Sequence, residues 1–380
     1  MRNEARHGMV ENTRRFPTDS ANLDLLRAVA VLAVFVCHFW GLRTGRASKW
    51  DFMWHLGHLG VLLFFVHTCL VLMWSIGRMR IGGGQLFAVF YVRRFFRIYP
   101  LSVFCVLVVS CLSHRWGGLN PICHPGSLTP KRLFFNLTLV SNLYGKWPSD
   151  TTAMLTPLWS LPLELQMYLV LPILFIFLRR RAVRWVFVVW LLSVLLALVQ
   201  PILGTACLVF LFAPCFLGGV VAWRLAEDHF RPRLPGWMWP LAIGATSTIW
   251  MLAPPQHAQY YRALFGLCLG LSIPLFREIP WNPIKDTARI VAKYSYGIYL
   301  SHFPILLLVF RRLPHHGRIT HYFIMALLML VLPLILYHGI EAPGIHYGKA
   351  LAGWICRKRI GRDATSMVTP DESSFRPAAS

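Results

Sequence analysis

The chain has 380 residues, of which 56% are hydrophobic and only 14% are charged. An average soluble domain has about 25% charged residues. A soluble fold of this length has no core large enough to bury so much apolar surface, and the same composition excludes a disordered, collagen-like or disulfide-stapled chain. The composition therefore indicates a polytopic membrane protein.

The net charge is +23, from 38 Lys and Arg residues against 15 Asp and Glu residues. In a soluble protein such an excess would suggest nucleic-acid binding. Here the basic residues form short clusters between long apolar runs, which is the pattern that orients helices in a bilayer. The sequence therefore predicts a lipid bilayer and an anionic ligand on the basic side as partners, and no nucleic acid.

Runs of apolar residues long enough to cross a bilayer recur along the chain. About ten are predicted, at residues 24–42, 56–76, 96–113, 158–178, 185–200, 205–223, 237–253, 260–276, 294–310 and 321–340. The shorter stretch 133–144 contains two asparagines, so we expect an interfacial or re-entrant segment there. The fold class is therefore an all-α polytopic membrane protein with about ten transmembrane helices and both termini in the cytoplasm.

The ends of the chain are polar, and the cysteines show no spacing typical of a disulfide framework or a metal site. We expect a disordered cytoplasmic N-terminus over residues 1–21 and one transmembrane domain over residues 22–345. The cytoplasmic tail, residues 346–380, is predicted to be first basic and then disordered. No metal and no tightly bound cofactor are expected.

The first predicted span carries three ionisable side chains, each of which costs at least about 2–3 kcal/mol in a bilayer and needs a reason. Asp24 and Arg27 lie at its start, and His38 follows eleven residues after Arg27. Arg27 and His38 are about 20° apart around the helix and about 16 Å apart along it. One stripe thus holds a cation at the cytoplasmic boundary and an imidazole deep in the bilayer. A snorkelling arginine and an interhelical hydrogen bond would explain the pattern without catalysis.

An arginine cluster precedes the third span. Arg94 and Arg97 are three residues apart and share a helix face, and Arg93 is adjacent to them. Together with Arg27 they could form a cationic patch that binds phosphate groups in a bidentate way. Positive residues on the cytoplasmic side of any membrane protein would give a similar cluster.

Two later spans carry polar side chains on one face. Glu164 is the only acid that the sequence places well inside a span, near the outer end of its helix, and Tyr168 lies one turn later. A lone carboxyl group there must be protonated, paired or in a water-filled cavity. In the ninth span Ser295, Tyr299 and His302 form one stripe. Structural hydrogen bonds between helices would account for both sets.

Taken in order, these motifs resemble the acyltransferase-3 family of integral-membrane O-acyltransferases. The specific elements are the Arg-x10-His pattern of Arg27 and His38 and the Arg-x-x-Arg pattern of Arg94 and Arg97. The looser elements are Phe64-Phe65-Val66, the segment 159–164 and the segment 294–302. The chain departs from the family's Phe-Phe-x-x-Ser-Gly-Phe stretch, where it reads Phe64-Phe65-Val66-His67-Thr68-Cys69-Leu70.

The resemblance implies a ten-helix protein that takes an acyl group, commonly acetyl, from cytoplasmic acyl-CoA. The acyl group passes to a hydroxyl group, often on a cell-envelope or exported carbohydrate or a glycolipid, as in the O-acetylation of polysaccharides. Such a protein is expected in the inner (plasma) membrane of a bacterium. A transporter or flippase of a lipid-linked or anionic solute, with the His and Glu as a proton relay, is the alternative.

The predicted site has three sets of residues. By analogy with the family, His38 carries the essential proton or acyl chemistry, as a general base or as a nucleophile, and arginines bind the phosphates of the donor. Glu164 could orient the imidazole or the acceptor. The catalytic set is His38, Glu164 and His302, the donor-binding set is Arg27, Arg93, Arg94 and Arg97, and the supporting set is Asp24, Tyr168, Ser295 and Tyr299. The sequence leaves open the acceptor, the acyl chain length and whether the protein is a homo-oligomer.

Overall fold

The computed structural model describes residues 19–44, 51–79, 81–115, 129–143, 156–203, 207–228, 232–313 and 317–366. Over these ranges the chain is helical and contains no strand, and Leu234 and Phe276 form one isolated β-bridge. The predicted all-α class is therefore confirmed. The predicted disorder at residues 1–18 and 367–380 lies outside the described residues.

The helices follow the apolar runs of the sequence in chain order. They are α1 (Ala21–Thr44), α2 (Phe52–Arg78), α3 (Gly83–Arg115), α4 (Pro130–Leu137), α5 (Leu161–Leu178), α6 (Arg184–Leu203), α7 (Leu208–Glu227), α8 (Trp239–Met251), α9 (Ala258–Ser272), α10 (Asn282–Leu307), α11 (Arg318–Leu336) and α12 (Ala342–Ser366). A π-helical turn, Leu308–Arg312, extends α10, and another, Tyr337–Glu341, joins α11 to α12. Helix α12 therefore extends into the range that the sequence analysis assigns to the tail.

Seven helical stretches in the described residues are long and apolar enough to cross a membrane. They are Ala21–Thr44, Phe52–Arg78, Gly83–Arg115, Pro157–Leu178, Arg184–Leu203, Leu208–Glu227 and Arg318–Arg357. Helices α8 and α9 have only 13 and 15 residues, and α10 is long but carries a polar stripe. The spans recognised by length and composition are thus fewer than predicted. The ten-span count and the cytoplasmic termini stay predictions.

The apolar stretch 133–144 includes the end of the eight-residue helix α4 and a short 3-10 turn, Ser141–Leu143. At 1.5 Å per residue an eight-residue helix is about 12 Å long, well short of a hydrocarbon core of about 30 Å. This segment therefore does not cross the bilayer as a helix, in agreement with the prediction.

The centre of the bundle is formed by α2 and α7, since 78% of the apolar window of each is buried inside the protein. Helix α1 packs between α2 and α10, and α7 contacts α2, α6 and α9. Helix α12 packs against α3. Helix α10 contacts both α1 and α3, so these three helices, which carry the polar motifs, are neighbours.

Glycines allow the central helices to approach each other closely. A Cβ atom on Gly218 of α7 would lie 2.1 Å from the carbonyl oxygen of Gly266 in α9. A Cβ atom on Gly219 would lie 2.1 Å from the carbonyl oxygen of Val66 in α2. Small residues at such crossings let helix backbones pack together in membranes, where van der Waals contact drives association.

We predict that Gly218→Ala destabilises the protein by about 1–3 kcal/mol, because the added methyl group meets backbone that cannot move aside. Gly244→Ala in α8 is the matched control, since no atom lies within 4 Å of its Cβ position. The measurement is the thermal unfolding midpoint of the purified protein in detergent. Equal midpoints for the two variants would contradict the close packing of α7 on α9.

Candidate functional site

A cavity of about 100 Å³ lies among α1, α2, α3, α5 and α10. Most of its polar lining comes from residues that the sequence analysis selected. Among the lining residues are Arg27, His67, Thr68, Arg94, Arg97, Ser160, Glu164, Tyr168, Ser295 and Tyr299. The fold therefore brings the four separate sequence motifs to one place.

Arg27 is fixed at the cavity by a contact between α1 and α10. Its Nε donates a hydrogen bond of 2.6 Å to the Ser295 hydroxyl, which in turn donates to the Ala292 carbonyl at 2.7 Å. Ser295 is fully buried. This contact gives the predicted polar stripe of α10 a definite role, which is to hold a cation. Asp24, one turn earlier on α1, is not among the cavity-lining residues.

Glu164 lines the same cavity as the arginines, although it lies in the first turn of α5, at the end predicted to face outside. The reason is that α5 begins inside the bundle, where Ser160 and Leu161 are already buried. The Tyr168 hydroxyl donates a hydrogen bond of 2.5 Å to the Glu164 carboxylate. Glu164 is also within electrostatic range of Arg27 and Arg94. The carboxylate is therefore paired and not isolated.

The start of α5 is tied to α10 by two hydrogen bonds. The Tyr299 hydroxyl donates to the Pro157 carbonyl at 2.7 Å. Because that donation uses its single hydrogen, the Tyr299 oxygen accepts from the Ser160 hydroxyl, 2.7 Å away. Ser160 was missed by the sequence analysis, since a serine just before a helix has an ordinary capping explanation.

Three of the four predicted donor-binding arginines line the cavity, and Arg93 does not. Arg93 lies one residue before Arg94 and one helix turn before Arg97, about 40° from Arg97 around the helix, so helix periodicity alone does not explain why it is absent from the cavity lining. The assignment of Arg93 to this cationic patch stays a prediction.

A second carboxylate was missed by the sequence analysis. Glu341 Oε1 lies 2.9 Å from Arg97 Nη1, and the Glu341 side chain is fully buried. The predicted last span ends at residue 340, but the helical stretch Arg318–Arg357 continues through Glu341. Glu164 is therefore not the only acid well inside a span. Little in the sequence signals this continuation, because residues 342–349 include one proline, two glycines, one histidine and one lysine.

His38 of α1 and His302 of α10 form a hydrogen-bonded pair, with 3.0 Å between His38 Nδ1 and His302 Nε2. His302 Nδ1 lies 3.1 Å from the Ile298 carbonyl oxygen, which can only accept, so this nitrogen carries the hydrogen. In a neutral pair His302 Nε2 must then accept from His38 Nδ1. This assignment, made from the hydrogen-bond network, leaves His38 Nε2 unprotonated.

The histidine pair lies beside the cavity and does not line it. Tyr299 connects the two, because it lines the cavity and its ring centroid is 6.1 Å from that of His302. Phe303 packs edge-on against His38 at 5.2 Å. His302 is fully buried, whereas His38 is half-buried. Of the two imidazoles, His38 is therefore the one that a ligand can reach.

This arrangement combines a cationic cavity with an imidazole nitrogen that has a free lone pair. Such a nitrogen can take a proton from a hydroxyl group or attack a carbonyl carbon. Guanidinium groups bind phosphate through paired hydrogen bonds. Among the described residues, no group of three or more His, Cys, Asp and Glu side chains is placed to hold a metal ion.

Comparison with known proteins agrees with this chemistry. The family model described as "Acyltransferase domain" matches residues 20–338 of the chain. The acyltransferase MdmB of Streptomyces mycarofaciens is 30% identical over 165 residues, a segment that spans 42% of this chain and only 40% of that protein. No solved structure matches the chain. Because the family model covers most of the chain, the protein belongs to the acyltransferase-3 family of membrane acyltransferases.

Proposed function

We propose that the protein transfers an acyl group, in the simplest case acetyl, from cytoplasmic acyl-CoA to a hydroxyl group of a cell-envelope or exported carbohydrate or glycolipid. The observation that carries the proposal is the convergence of Arg27, Arg94 and Arg97 on one cavity beside the His38–His302 pair. Family membership supports acyl transfer in general. The donor and the acceptor are the parts that we add.

The cavity supports a donor of which only one end enters the protein. Its volume is about 100 Å³, whereas pockets that enclose a whole small ligand have about 300–1,000 Å³. The nucleotide part of CoA would therefore stay outside the helices. Arg94 and Arg27 would attract its phosphates, and the neutral pantetheine arm would carry the thioester towards His38.

The histidine pair supports either of two chemical roles. As a general base, His38 Nε2 would take the proton of the acceptor hydroxyl while the oxygen bonds to the thioester carbon. The carbon–sulfur bond would then break, and the imidazolium would return the proton to the CoA thiolate. As a nucleophile, the same nitrogen would first displace CoA as the thiolate and form an acyl-imidazole. The acceptor oxygen would then take the acyl group, which frees the imidazole, and the hydroxyl proton would go to the thiolate. In both cases His302 would stabilise positive charge on His38 through the Nδ1 hydrogen bond.

Glu164 would keep the arginines in place from the opposite wall of the cavity. It faces Arg27 and Arg94 and is itself oriented by Tyr168. A carboxylate at that position would balance the cations when the donor is absent. We therefore favour an orienting role for Glu164 over direct proton transfer.

We also infer that α8, α9 and α10 complete a ten-span arrangement with both termini in the cytoplasm, in the inner membrane of a bacterium. The basic clusters between the apolar runs support this orientation. The family assignment favours acyl transfer over the transporter or flippase alternative. A transporter needs no thioester and would bind no acyl-CoA.

The proposed donor is tested by acetyl-CoA binding to the detergent-purified protein. Saturable binding is expected for the wild type, and the Arg94→Ala/Arg97→Ala double variant should lose it, because the phosphates then lack two of three cations. The matched control is Arg179→Ala/Arg180→Ala, which removes the same charge from exposed positions. If the wild type binds neither acetyl-CoA nor longer acyl-CoAs, the donor proposal is wrong and the transporter alternative gains support.

His38→Ala is expected to abolish acyl transfer while membrane insertion and acetyl-CoA binding persist, because the imidazole acts on the bound donor and does not hold its phosphates. The measurement is release of free CoA with acetyl-CoA as donor and a membrane extract as the source of acceptor. His346→Ala removes an exposed histidine and serves as the control. Appreciable turnover by His38→Ala would remove His38 from the mechanism.

His302→Leu should lower kcat by about 100-fold, in the range of a lost acid–base contribution, with little change in the acetyl-CoA dissociation constant. Leucine has a similar volume but cannot accept the hydrogen bond from His38 Nδ1. Steady-state kinetics and donor binding, measured side by side, separate the two effects. A loss confined to donor affinity would argue against stabilisation of the His38 charge by His302.

A further inference from the structure

We propose that Glu341 is a positioning residue of the donor site, which holds the Arg97 guanidinium at the cavity from the π-helical turn between α11 and α12. This inference rests on the proposed function, since it gives Glu341 a task in donor binding. It concerns an acid that acts through Arg97 and does not itself contact the donor.

The Glu341 carboxylate is buried and contacts Arg97. Glu341 Oε1 lies 2.9 Å from Arg97 Nη1, and the side-chain exposure is 0% for Glu341 against 27% for Arg97. Neither Glu341 oxygen has a well-aligned hydrogen bond to any described group, so the contact with Arg97 is an ion pair. A buried carboxylate that lost its ion-pair partner would be strongly destabilising. The two side chains are therefore held together as a pair.

The ion pair leaves part of the Arg97 guanidinium accessible to a ligand in the cavity. A guanidinium has five N–H donors, and Glu341 contacts that of Arg97 at Nη1. Arg97 lines the cavity and is partly exposed, while Glu341 is buried behind it. An anion in the cavity could thus reach the remaining N–H groups of Arg97 without meeting the carboxylate.

Helix α12 contacts α3 closely next to Arg97. A Cβ atom on Gly344 would lie 2.7 Å from the Phe96 carbonyl oxygen, and one on Gly348 would lie 2.7 Å from the Phe96 Cβ. Gly344 and Gly348 follow Glu341 by three and seven residues and share its helix face. The glycines therefore bring α12 near enough for the Glu341 side chain to reach Arg97.

The π-helical turn Tyr337–Glu341 places Glu341 between two helices with different neighbours. It joins α11, which packs on α10, to α12, which packs on α3. A π-helical turn accommodates an extra residue and so changes which side chains face each neighbour, and such turns within α-helices are frequent at functional sites. Here the turn ends at the residue that faces Arg97.

A second ion pair in the structure has none of these properties and provides the control. Arg224 Nη1 and Asp228 Oδ1 are 2.8 Å apart within one helix turn of α7, and Asp228 is 46% exposed. Neither residue lines the cavity. Asp228→Asn removes an arginine–carboxylate ion pair without touching the proposed donor site.

The experiment compares acetyl-CoA dissociation constants of the wild type, Glu341→Gln, Glu341→Asp and Asp228→Asn proteins in detergent. Glu341→Gln should weaken binding by about tenfold or more, because small misplacements of a binding group have large effects. Glu341→Asp keeps the charge and should recover part of the affinity. Asp228→Asn should bind like the wild type. Thermal unfolding midpoints of all four identify any variant that fails to fold.

The decisive arm places Glu341→Gln in an Arg97→Ala background. If Glu341 acts through Arg97, the second substitution should cause no further loss of acetyl-CoA affinity. Equal losses in both backgrounds, or unchanged affinity of Glu341→Gln alone, would overturn the positioning role while leaving acyl-CoA as the donor. Failure of the wild type to bind acetyl-CoA would overturn the proposed function and this role with it.

Discussion

The high cost of charge away from water is the constraint on which the rest of this structure depends. Each isolated ionised group inside a bilayer costs at least about 2–3 kcal/mol. At the cavity this cost is reduced because side chains of opposite charge lie together. Arg27, Arg94 and Arg97 line the cavity with Glu164, and the buried Glu341 forms an ion pair with Arg97. Three cations against two carboxylates leave one positive charge when all are ionised. Most of the charge in such a site is compensated within the protein, and the remaining positive charge attracts an anion.

The same requirement fixes the position of the proposed chemistry relative to the proposed donor site. Helices α1 and α10 meet at two levels, Arg27 with Ser295 and His38 with His302. In both helices the residue of the second contact follows the residue of the first. The two contacts together therefore fix the register of α1 against α10. A shift of either helix by one residue would break both contacts. The distance between the cationic cavity and the imidazole pair is thus a property of helix packing and does not depend on any loop.

Much of this site could be predicted from the sequence, because helical periodicity decides which residues share a face and apolar runs make ionisable residues conspicuous. The stripe of Arg27 and His38 was found in this way. What periodicity cannot give is the choice of partners between helices. The ion pair of Arg97 with Glu341 and the absence of Arg93 from the cavity follow from packing. The bounds of the helices are hard to predict for a related reason, since an apolar run does not reveal where its helix ends.

Packing also explains how the site accommodates the departure of segment 64–70 from the family pattern. Thr68 stands where the pattern has serine, so a hydroxyl group is kept at this position, and it lines the cavity together with Glu164. Cys69 stands where the pattern has glycine, and the neighbouring helix comes close there because Gly219 of α7 packs against it: a Cβ atom on Gly219 would lie 2.9 Å from the Cys69 Cβ. The small residue that a close crossing requires is supplied by the opposite helix. The close packing of α2 on α7 therefore does not require a glycine at position 69.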